Sequence, residues 1–349
     1  MGRAAMFVVM GFGLAAGFIS MNIRNATNLL TESQVGYYNY SMARNLARTG
    51  VQRSLRYIDM NPGIPNYTPP TSGSFNGGTY TTSTTQSGDT MWLNVNGVYA
   101  DTSYLMKTKL LKSTKPFPAV KGAVSIRASP IDINMTGQAG VDGRNYDSSG
   151  TNLDSDCPDP SFTGDKPGFA VMNSTDSAEA YNASSNIFGN PKTKIDTTTS
   201  DPSAFIDEYT SNADTTINTP GTHSGGTYGT AEFPKITVVN AGEDTNFAIK
   251  FTGGFTGYGI LAINGNVQFS GGIDFKGLIV VYGKNNVVDF TSTGTPKIVG
   301  GLIVAGRAAN VTLKGTGSVG AKIAYSCDAL FKARNLSKLR YYGVLEWYE

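Results

Sequence analysis

The chain has 349 residues, which is long enough for two or three structural units with sizeable cores. Its formal net charge of +2 provides no basic field that would favour nucleic acid as a partner. Only 15% of the residues are charged while 42 are glycine, a composition more typical of a secreted β-rich protein than of a cytosolic enzyme.

The first predicted element is apolar. Residues 4–23, AAMFVVMGFGLAAGFISMNI, lie between Arg3 and Arg24 and include no charged side chain. As a helix, such a segment is about 30 Å long, which matches the hydrocarbon core of a bilayer. We therefore predict a helix that can span a membrane, because a cleavable signal peptide would have a shorter apolar stretch.

The helical pattern continues beyond this segment. No proline occurs from Arg24 to Asn61, and Asn61-Pro62-Gly63 is a strong stop signal. Apolar residues recur at close to helical spacing, at Leu29, Leu30, Val35, Tyr38, Met42, Leu46, Val51, Leu55 and Ile58. The sequence thus predicts one long helix over residues 1–60, with an apolar half at 4–23 and an amphipathic half at 24–60.

A small antiparallel sheet is predicted over residues 62–115. The stretches GGTYTTSTT, DTMWLNVNGVYA and SYLMKTKLL combine alternation, β-branched residues and Gly or Asp turns. We expect this sheet to cover the apolar stripe of the amphipathic half, with Trp92, Tyr99 and Leu105 facing the helix.

Residues 118–326 have the texture of a parallel β-helix. Apolar triplets that begin at Leu261, Leu278, Leu302 and Ile323 recur at intervals of roughly 20 residues, the length of one coil. The predicted rung positions are Leu261, Ile263, Leu278, Val280, Leu302, Val304 and Ile323. The predicted corners are Gly265, Gly271, Gly283, Gly300 and Gly306, since tight corners favour glycine. An antiparallel sandwich with a hairpin turn at Asn264-Gly265 is the alternative.

Two further regions complete the chain. Residues 148–235 are polar and turn-rich, and we predict loop insertions with short helices near Ser177–Tyr181 and from Asp201-Pro202 to Asn212. Residues 327–349 predict a helix over Ala329–Leu339 that caps the open end of the β-helix, and then a final strand at a sheet edge. Cys157 and Cys327 can form a disulfide in an exported protein, and two buried free thiols are the alternative.

The long helix resembles the N-terminal helix of the type IV pilin superfamily. Arg3 before the apolar run and RNLARTG at 44–50 are most similar to large minor-pilin-like proteins with a PilX-type N-terminus. GAV at 122–124, VDGRN at 141–145 and AYSCDAL at 324–330 are similar to the exported β-helical bodies that often follow such N-termini. The fold class that this resemblance implies is α+β, with a long helix, a small antiparallel pilin-like sheet and a right-handed parallel β-helix body.

The resemblance also implies a function, that of a structural subunit of an extracellular pilus-like filament. Its partners would be copies of itself and, while it is a membrane-inserted precursor, the pilus assembly machinery of the inner membrane. The side chains expected in the filament core are Phe7, Val8, Met10, Phe12, Leu14, Phe18, Ile19, Leu29 and Leu30. The first acidic residue is Glu32, so register between copies is expected to come from packing alone or from Arg3 and the N-terminus.

Three other functions remain open from the sequence. A single-pass anchor with a coiled stalk would also use the apolar segment. A minor or tip subunit, or a membrane-held adhesin, would bind a surface or a carbohydrate through the β-helix. A polysaccharide-active β-helix enzyme would use acids in the repeat, where Asp274 and Asp289 are the candidates.

No catalytic, cofactor or metal site is predicted. His223, the single histidine, lies in the Gly- and Thr-rich stretch GTHSGGTYG, which is a poor setting for a triad. An acidic loop carries Asp147, Asp154, Asp156, Asp159 and Asp165, but it lacks the glycine and the final glutamate of an EF-hand. A solvated loop is therefore the expected role of this segment.

Overall fold

The computed structural model describes residues 2–60, 71–198, 201–242, 248–283, 287–292, 296–315 and 322–348. The chain divides into two compact units. Unit 1 comprises Met1–Ser113 and Arg340–Glu349, and unit 2 comprises Thr114–Leu339. Most of the loop predicted between the long helix and the sheet, residues 61–70, lies outside the described residues, as do the side chains of Arg3 and Asp289.

Unit 1 begins with the long helix α1, Gly2–Met60. Its first four strands are β1 (Ser72–Phe75), β2 (Gly78–Ser87), β3 (Thr90–Tyr99) and β4 (Thr102–Thr114). These strands form an antiparallel meander, which the sequence predicts from its alternating pattern. The long N-terminal helix and the antiparallel sheet are thereby confirmed.

Unit 2 is rich in short strands. In chain order they are β5 (Val124–Arg127), β6 (Ile131–Gly137), β7 (Gly140–Asp142), β8 (Phe169–Val171), β9 (Ile187–Phe188), β10 (Thr193–Ile195), β11 (Thr215–Ile217), β12 (Gly221–His223), β13 (Gly226–Tyr228), β14 (Lys235–Gly242), β15 (Ala248–Phe251), β16 (Phe255–Phe269), β17 (Ile273–Tyr282), β18 (Val287–Ser292), β19 (Lys297–Ala305), β20 (Ala308–Gly315) and β21 (Lys322–Tyr325). Its helices are α2 (Ser174–Asn182), α3 (Ser203–Ser211) and α4 (Cys327–Arg334), with 3₁₀ turns at Pro160–Phe162 and Ser337–Leu339. The chain then ends in unit 1 with β22 (Arg340–Tyr348), which joins the antiparallel sheet beside β4.

The strands of unit 2 pair in parallel and curl into three ladders. The first contains β13, the starts of β16, β17 and β19, then β21, β7 and β9. The second runs β11, β14, β16, β17, β19, β5, β8 and β10. The third runs β12, β15, the end of β16, β18, β20 and β6. Because the described strands of these ladders pair in parallel, the alternative of an antiparallel sandwich with hairpins is wrong.

A column of glycines lies where β16, β17 and β19 pass from the first ladder to the second. Gly259, Gly277 and Gly300 are in register and have φ of 122°, 128° and 135°. A Cβ atom on Gly277 would lie 2.0 Å from the carbonyl oxygen of Gly259, so the corner excludes any side chain. Gly300 was among the predicted corners, whereas Gly259 and Gly277 were not. Their sequence signal is a glycine one or two residues before an apolar triplet, since Gly277 directly precedes Leu278 and Gly259 stands two residues before Leu261.

The pairing register splits the predicted rung column. Leu261 pairs with Ile279, which in turn pairs with Leu302, whereas Leu278 pairs with Ile260 and Gly301. Ile323 pairs with Ile298 in the first ladder. Aligning the triplets by their first residue is therefore wrong by one position at Leu278, and Val280 shifts with it. All seven predicted rung residues are nevertheless fully buried.

Both faces of these strands are buried because α4 covers one of them. This helix packs against β16, β17 and β19, and Leu330 approaches Gly301. Its N-cap is Ser326, whose hydroxyl accepts from the Ala329 amide. The predicted end-capping helix thus lies on the flank of the second ladder, and the covered flank explains why the strands lack apolar alternation.

Residues 148–235, predicted as loop insertions, contribute strands to the ladders. The strands β8–β13 lie within this range and pair in parallel with β5, β7, β14, β15 and β16. They escape sequence reasoning because each has only two or three residues and several are rich in Gly and Thr. The two predicted short helices correspond to α2 and α3.

Cys157 and Cys327 form a disulfide with a Cα–Cα distance of 5.6 Å. The bond joins the acidic loop to the first turn of α4. Two further contacts link the same segments: the Asn145 side chain accepts from the Cys327 amide at 2.8 Å, and Arg334 pairs with Asp159 at 2.5 Å. The loop is thereby held to the flank of the second ladder.

A buried carboxylate, Asp142, lies at the end of β7 and is only 1% exposed. Its Oδ2 accepts from Arg144 at 2.8 Å and from the Tyr146 hydroxyl at 2.9 Å, and it pairs with Lys322 at 3.2 Å. Burial raises the pKa of this carboxyl, but the hydrogen bonds from Arg144 and Tyr146 and the charge of Lys322 outweigh burial and hold the pKa below its usual range.

We expect Asp142→Asn to lower the free energy of unfolding of unit 2 by about 3 kcal/mol at pH 7, because two cations then lose their buried partner. A carboxyl with a depressed pKa stabilises above its ordinary pKa of about 3.9, and that stabilisation is lost as the pH falls through the folded value. The difference between wild type and variant should therefore shrink below about pH 4. Hydrogen exchange of β7 and β21 at pH 7 and pH 3 measures it, with exposed Asp132→Asn as the control. Equal protection in both variants at pH 7 would contradict the expectation.

Candidate assembly surface

The N-terminal part of α1 exposes a long apolar surface. The predicted filament-core side chains, Phe7, Val8, Met10, Phe12, Leu14, Phe18, Ile19, Leu29 and Leu30, are between 57% and 75% exposed. By length and composition the helix could cross a membrane, although a signal sequence near an N-terminus has the same properties. A helix that is apolar all round is normally covered by lipid or by protein.

The exposed apolar surface extends well past residue 23. Leu29, Leu30, Val35, Tyr37 and Tyr38 are all more than half exposed. The whole helix of 59 residues is about 88 Å long, whereas a bilayer core covers about 30 Å. Lipid alone therefore leaves apolar side chains of α1 uncovered.

Two threonine hydroxyls in the same part of α1 are satisfied within the helix. The Thr27 hydroxyl donates to the Ile23 carbonyl at 2.8 Å, and the Thr31 hydroxyl donates to the Thr27 carbonyl at 2.9 Å. Such bonds let threonine enter an apolar environment at low cost. Arg24 and Glu32 are the only charged residues in the sequence between Arg3 and Arg44, and both are exposed.

The C-terminal part of α1 is buried against the sheet of unit 1. Its buried residues recur at helical spacing: Ala43, Leu46, Ala47, Gly50, Val51, Ser54 and Ile58. The facing core is formed by Tyr80, Met91, Leu93, Val95, Met106 and Leu110. This part of the helix is thereby fixed to a folded head, whereas residues 6–38 are exposed.

Two glycines bring the helix close to the sheet. A Cβ atom on Gly97 in β3 would lie 2.2 Å from the Ala43 carbonyl oxygen and 2.5 Å from the Ala47 amide nitrogen. A Cβ atom on Gly50 would lie 2.5 Å from Val95. Backbone therefore packs almost directly on backbone where α1 crosses β3.

Two of the three side chains predicted to face the helix lie on the other face of the sheet. Trp92 and Leu105 lie on the opposite face of the sheet, since they alternate with Met91, Leu93 and Met106 of the helix-facing core. Leu105 is 50% exposed, and the Trp92 ring lies 5.7 Å from that of Tyr348 in β22. Tyr99 does contact the helix, through an edge-to-face contact with Tyr38. The prediction is therefore wrong for Trp92 and Leu105, where a shift of one residue reverses the face, and right for Tyr99.

Comparisons with known proteins do not assign this chain to a family. No protein-family model and no curated protein matches the chain. Among solved structures, the competence-associated pilin ComZ from Thermus thermophilus is similar at 13% identity and a TM-score of 0.27, covering 89% of this chain and 97% of that chain. A likeness this low carries neither fold nor function to the present chain.

The candidate polar residues that the structure describes lie in separate surroundings. Asp274 is exposed and lies in register between Thr256 and Lys297, and the side chain of Asp289 lies outside the described residues. His223 contacts the Thr219 carbonyl oxygen at 2.7 Å and the ring of Phe251. In the acidic loop, Asp147 accepts from Ser149 and Thr151, and Asp159 pairs with Arg334. Within the described ranges, no group of three His, Cys, Asp or Glu side chains could hold a metal ion.

Unit 2 contains two cavities that sequence reasoning missed. One, of about 620 Å³, is lined by Arg127, Asp201, Asp207, Asn264 and Tyr282 together with smaller residues. The other, of about 460 Å³, is lined by residues that include Lys121, Lys166 and Lys194. The lining residues of each cavity come from segments that are distant in sequence, so no local motif predicts either cavity.

Proposed function

We propose that this protein is a structural subunit of an extracellular type IV pilus-like filament, assembled through α1 with the β-rich units outside. The observation that carries the proposal is the apolar surface of α1 that extends beyond the reach of one bilayer. Copies of the same helix packed side by side would cover Leu29, Leu30 and Val35 as well as residues 4–23. Ala15, Ala16 and Gly17 allow helices to approach closely in such a bundle.

The subunit would pass from a membrane-inserted precursor to a filament. Residues 4–23 would first hold the precursor in a membrane, where the assembly machinery would meet it. Transfer into a filament exchanges lipid contacts for helix contacts, and the hydroxyls of Thr27 and Thr31, which are satisfied within the helix, add no unpaired donor to that exchange. No reaction is proposed, and no cofactor or nucleic acid is required.

We further propose that the three ladders of unit 2 wind as a right-handed parallel β-helix. Parallel pairing from rung to rung and the stacked Gly259, Gly277 and Gly300 support this winding. A ring stack inside the ladders, in which Phe251 lies 5.3 Å from Phe269 and Phe269 lies 5.8 Å from Phe290, supports it as well. Such a body would form a rigid outer sheath.

The filament proposal is tested with Leu30→Asp in the full chain. The variant leaves residues 4–23 untouched, so the protein should still enter the membrane fraction, but an acid in the helix bundle should remove filaments from negatively stained native preparations. Wild-type preparations that hold only dispersed subunits, or unchanged filaments in the variant, would overturn the proposal. Gln52→Asp, at an exposed position of the half that packs on the sheet, is the matched control.

A minor or tip subunit with adhesive function is the second candidate, and the cavity lined by Arg127, Asp201, Asp207, Asn264 and Tyr282 favours it. These side chains offer donors, acceptors and one ring, which suits a polyhydroxylated ligand. The buried Oδ1 of Asn264 has no hydrogen-bond partner among the described residues. Copy number decides between the two: many copies per filament favour the structural role, and a few per cell favour the adhesive one.

A further inference from the structure

The second cavity of unit 2 gathers positive charge from successive rungs. Lys121 and Lys166 each stand three residues before a pair in register, since Val124 lies opposite Phe169. Lys194 lies in β10, which pairs with β8 on the next rung. Lys121 and Lys166 therefore hold equivalent positions on neighbouring rungs, and Lys194, opposite Ala170 on the next rung, lines the same cavity.

Protein groups compensate these charges only in part. The cavity also contains Asp165 and Asp196. The Asp165 carboxylate accepts from the Asn145 amide at 3.0 Å, and that of Asp196 accepts from the Thr198 amide at 2.9 Å. The cavity lining thus holds three lysines and two aspartates, and the charges of Lys121 and Lys194 already act on the Asp196 carboxylate.

Lys166 is the most confined of the three lysines. Its Nζ donates to the Thr163 carbonyl oxygen at 3.0 Å, and an ammonium group has three donors. Burial lowers the pKa of Lys166, and the positive charges of Lys121 and Lys194 lower it further. A half-buried cation beside two like charges is the setting in which a bound anion gives most stabilisation.

We propose that this cavity binds an oxoanion group, a carboxylate, sulfate or phosphate, carried by a ligand of about the size of one sugar unit. The volume of about 460 Å³ lies in the range of small-molecule sites and is concave. The ammonium groups of Lys121, Lys166 and Lys194 hold the anion, and the Asn190 side chain is placed to bind a neighbouring hydroxyl. The site does not depend on whether the chain forms filaments.

The test is calorimetric titration of the detergent-solubilised full chain at constant ionic strength with glucuronate, glucose, inorganic sulfate and inorganic phosphate. We expect glucuronate to bind saturably and glucose not to bind. Sulfate or phosphate binding more tightly than glucuronate would identify a free-anion site of the same chemistry. Lys166→Gln should weaken binding about tenfold to a hundredfold, as loss of one charged hydrogen bond does.

Lys194→Gln is the second variant, because Lys194 is exposed and its loss should leave folding intact. It should weaken binding in the same direction, whereas Lys314→Gln, at an exposed position of β20, should have no effect. Equal binding of glucose and glucuronate would overturn the proposal. The same holds if none of the four probes saturates, or if the cavity variants bind like Lys314→Gln.

Discussion

Arg24→Glu is expected to abolish filament assembly, and the additional change Glu32→Arg is expected to restore it. Arg24 and Glu32 are the two charges in an otherwise uncharged stretch of α1, and an unpaired charge in an apolar bundle costs several kcal/mol. This prediction depends on the proposed filament function.

Geometry allows the two residues to pair between copies and not within one. Eight residues separate them, so they lie about 12 Å apart along the axis and about 80° apart around it. A neighbouring helix shifted by about 12 Å brings its Arg24 to the height of Glu32. Each pair would then neutralise both charges at every contact of this kind, and would give the subunits an axial register without an early glutamate.

The measurement is filament yield by electron microscopy, with immunoblots of the membrane fraction to show equal amounts of precursor. Arg24→Glu and Glu32→Arg should each lower the yield at least tenfold, and the double exchange should recover most of it. Abundant filaments in the single variants would contradict the pairing while leaving the filament itself established. An absence of filaments in the wild type would instead contradict the function.

Gly97→Val is expected to lower the free energy of unfolding of unit 1 by about 3 kcal/mol or more. A side chain at this position meets the Ala43 carbonyl oxygen and the Ala47 amide nitrogen, and backbone atoms cannot rotate away as a side chain can. The helix must then shift from the sheet and expose Leu46 and Val51, which are buried now.

Both tryptophans, Trp92 and Trp347, belong to unit 1, so urea unfolding followed by tryptophan emission reports on this unit. Asn96→Val is the matched control, since Asn96 is the neighbouring residue and lies on the opposite face of β3. The midpoint of Gly97→Val should fall well below that of the control. Equal midpoints would show that the close approach of α1 to β3 is not needed for stability.

Local patterns were enough to predict α1 and the β-rich character of unit 2. Leu46, Val51 and Ile58 recur at helical spacing, because side chains about one or two turns apart lie on the same face of a helix and are buried together. The interval between the apolar triplets indicates the length of one coil, because each rung buries the same kind of side chain. These signals lie within a few residues or one repeat, and therefore survive in the sequence.

The order of the rungs could not be predicted in this way. The first strand of unit 2, β5, pairs with β8 and with β19. The N-terminal rungs of the unit therefore stack on a rung from near its C-terminal end. The sheet of unit 1 likewise receives β22 from the far end of the chain. Hydrogen bonds between strands are the same for any pair of partners, so the sequence of either strand does not name its neighbour.

The sequence by itself determined a long helix with one half that needs a partner, and a glycine-rich body of repeated short strands. Only the tertiary structure decided which face of β3 meets the helix, that α4 covers a flank, and that Lys121, Lys166 and Lys194 meet at one cavity. The physical reason is that periodicity arises from contacts close in sequence, whereas register and convergence arise from contacts between distant segments, whose energies depend on the whole packed arrangement.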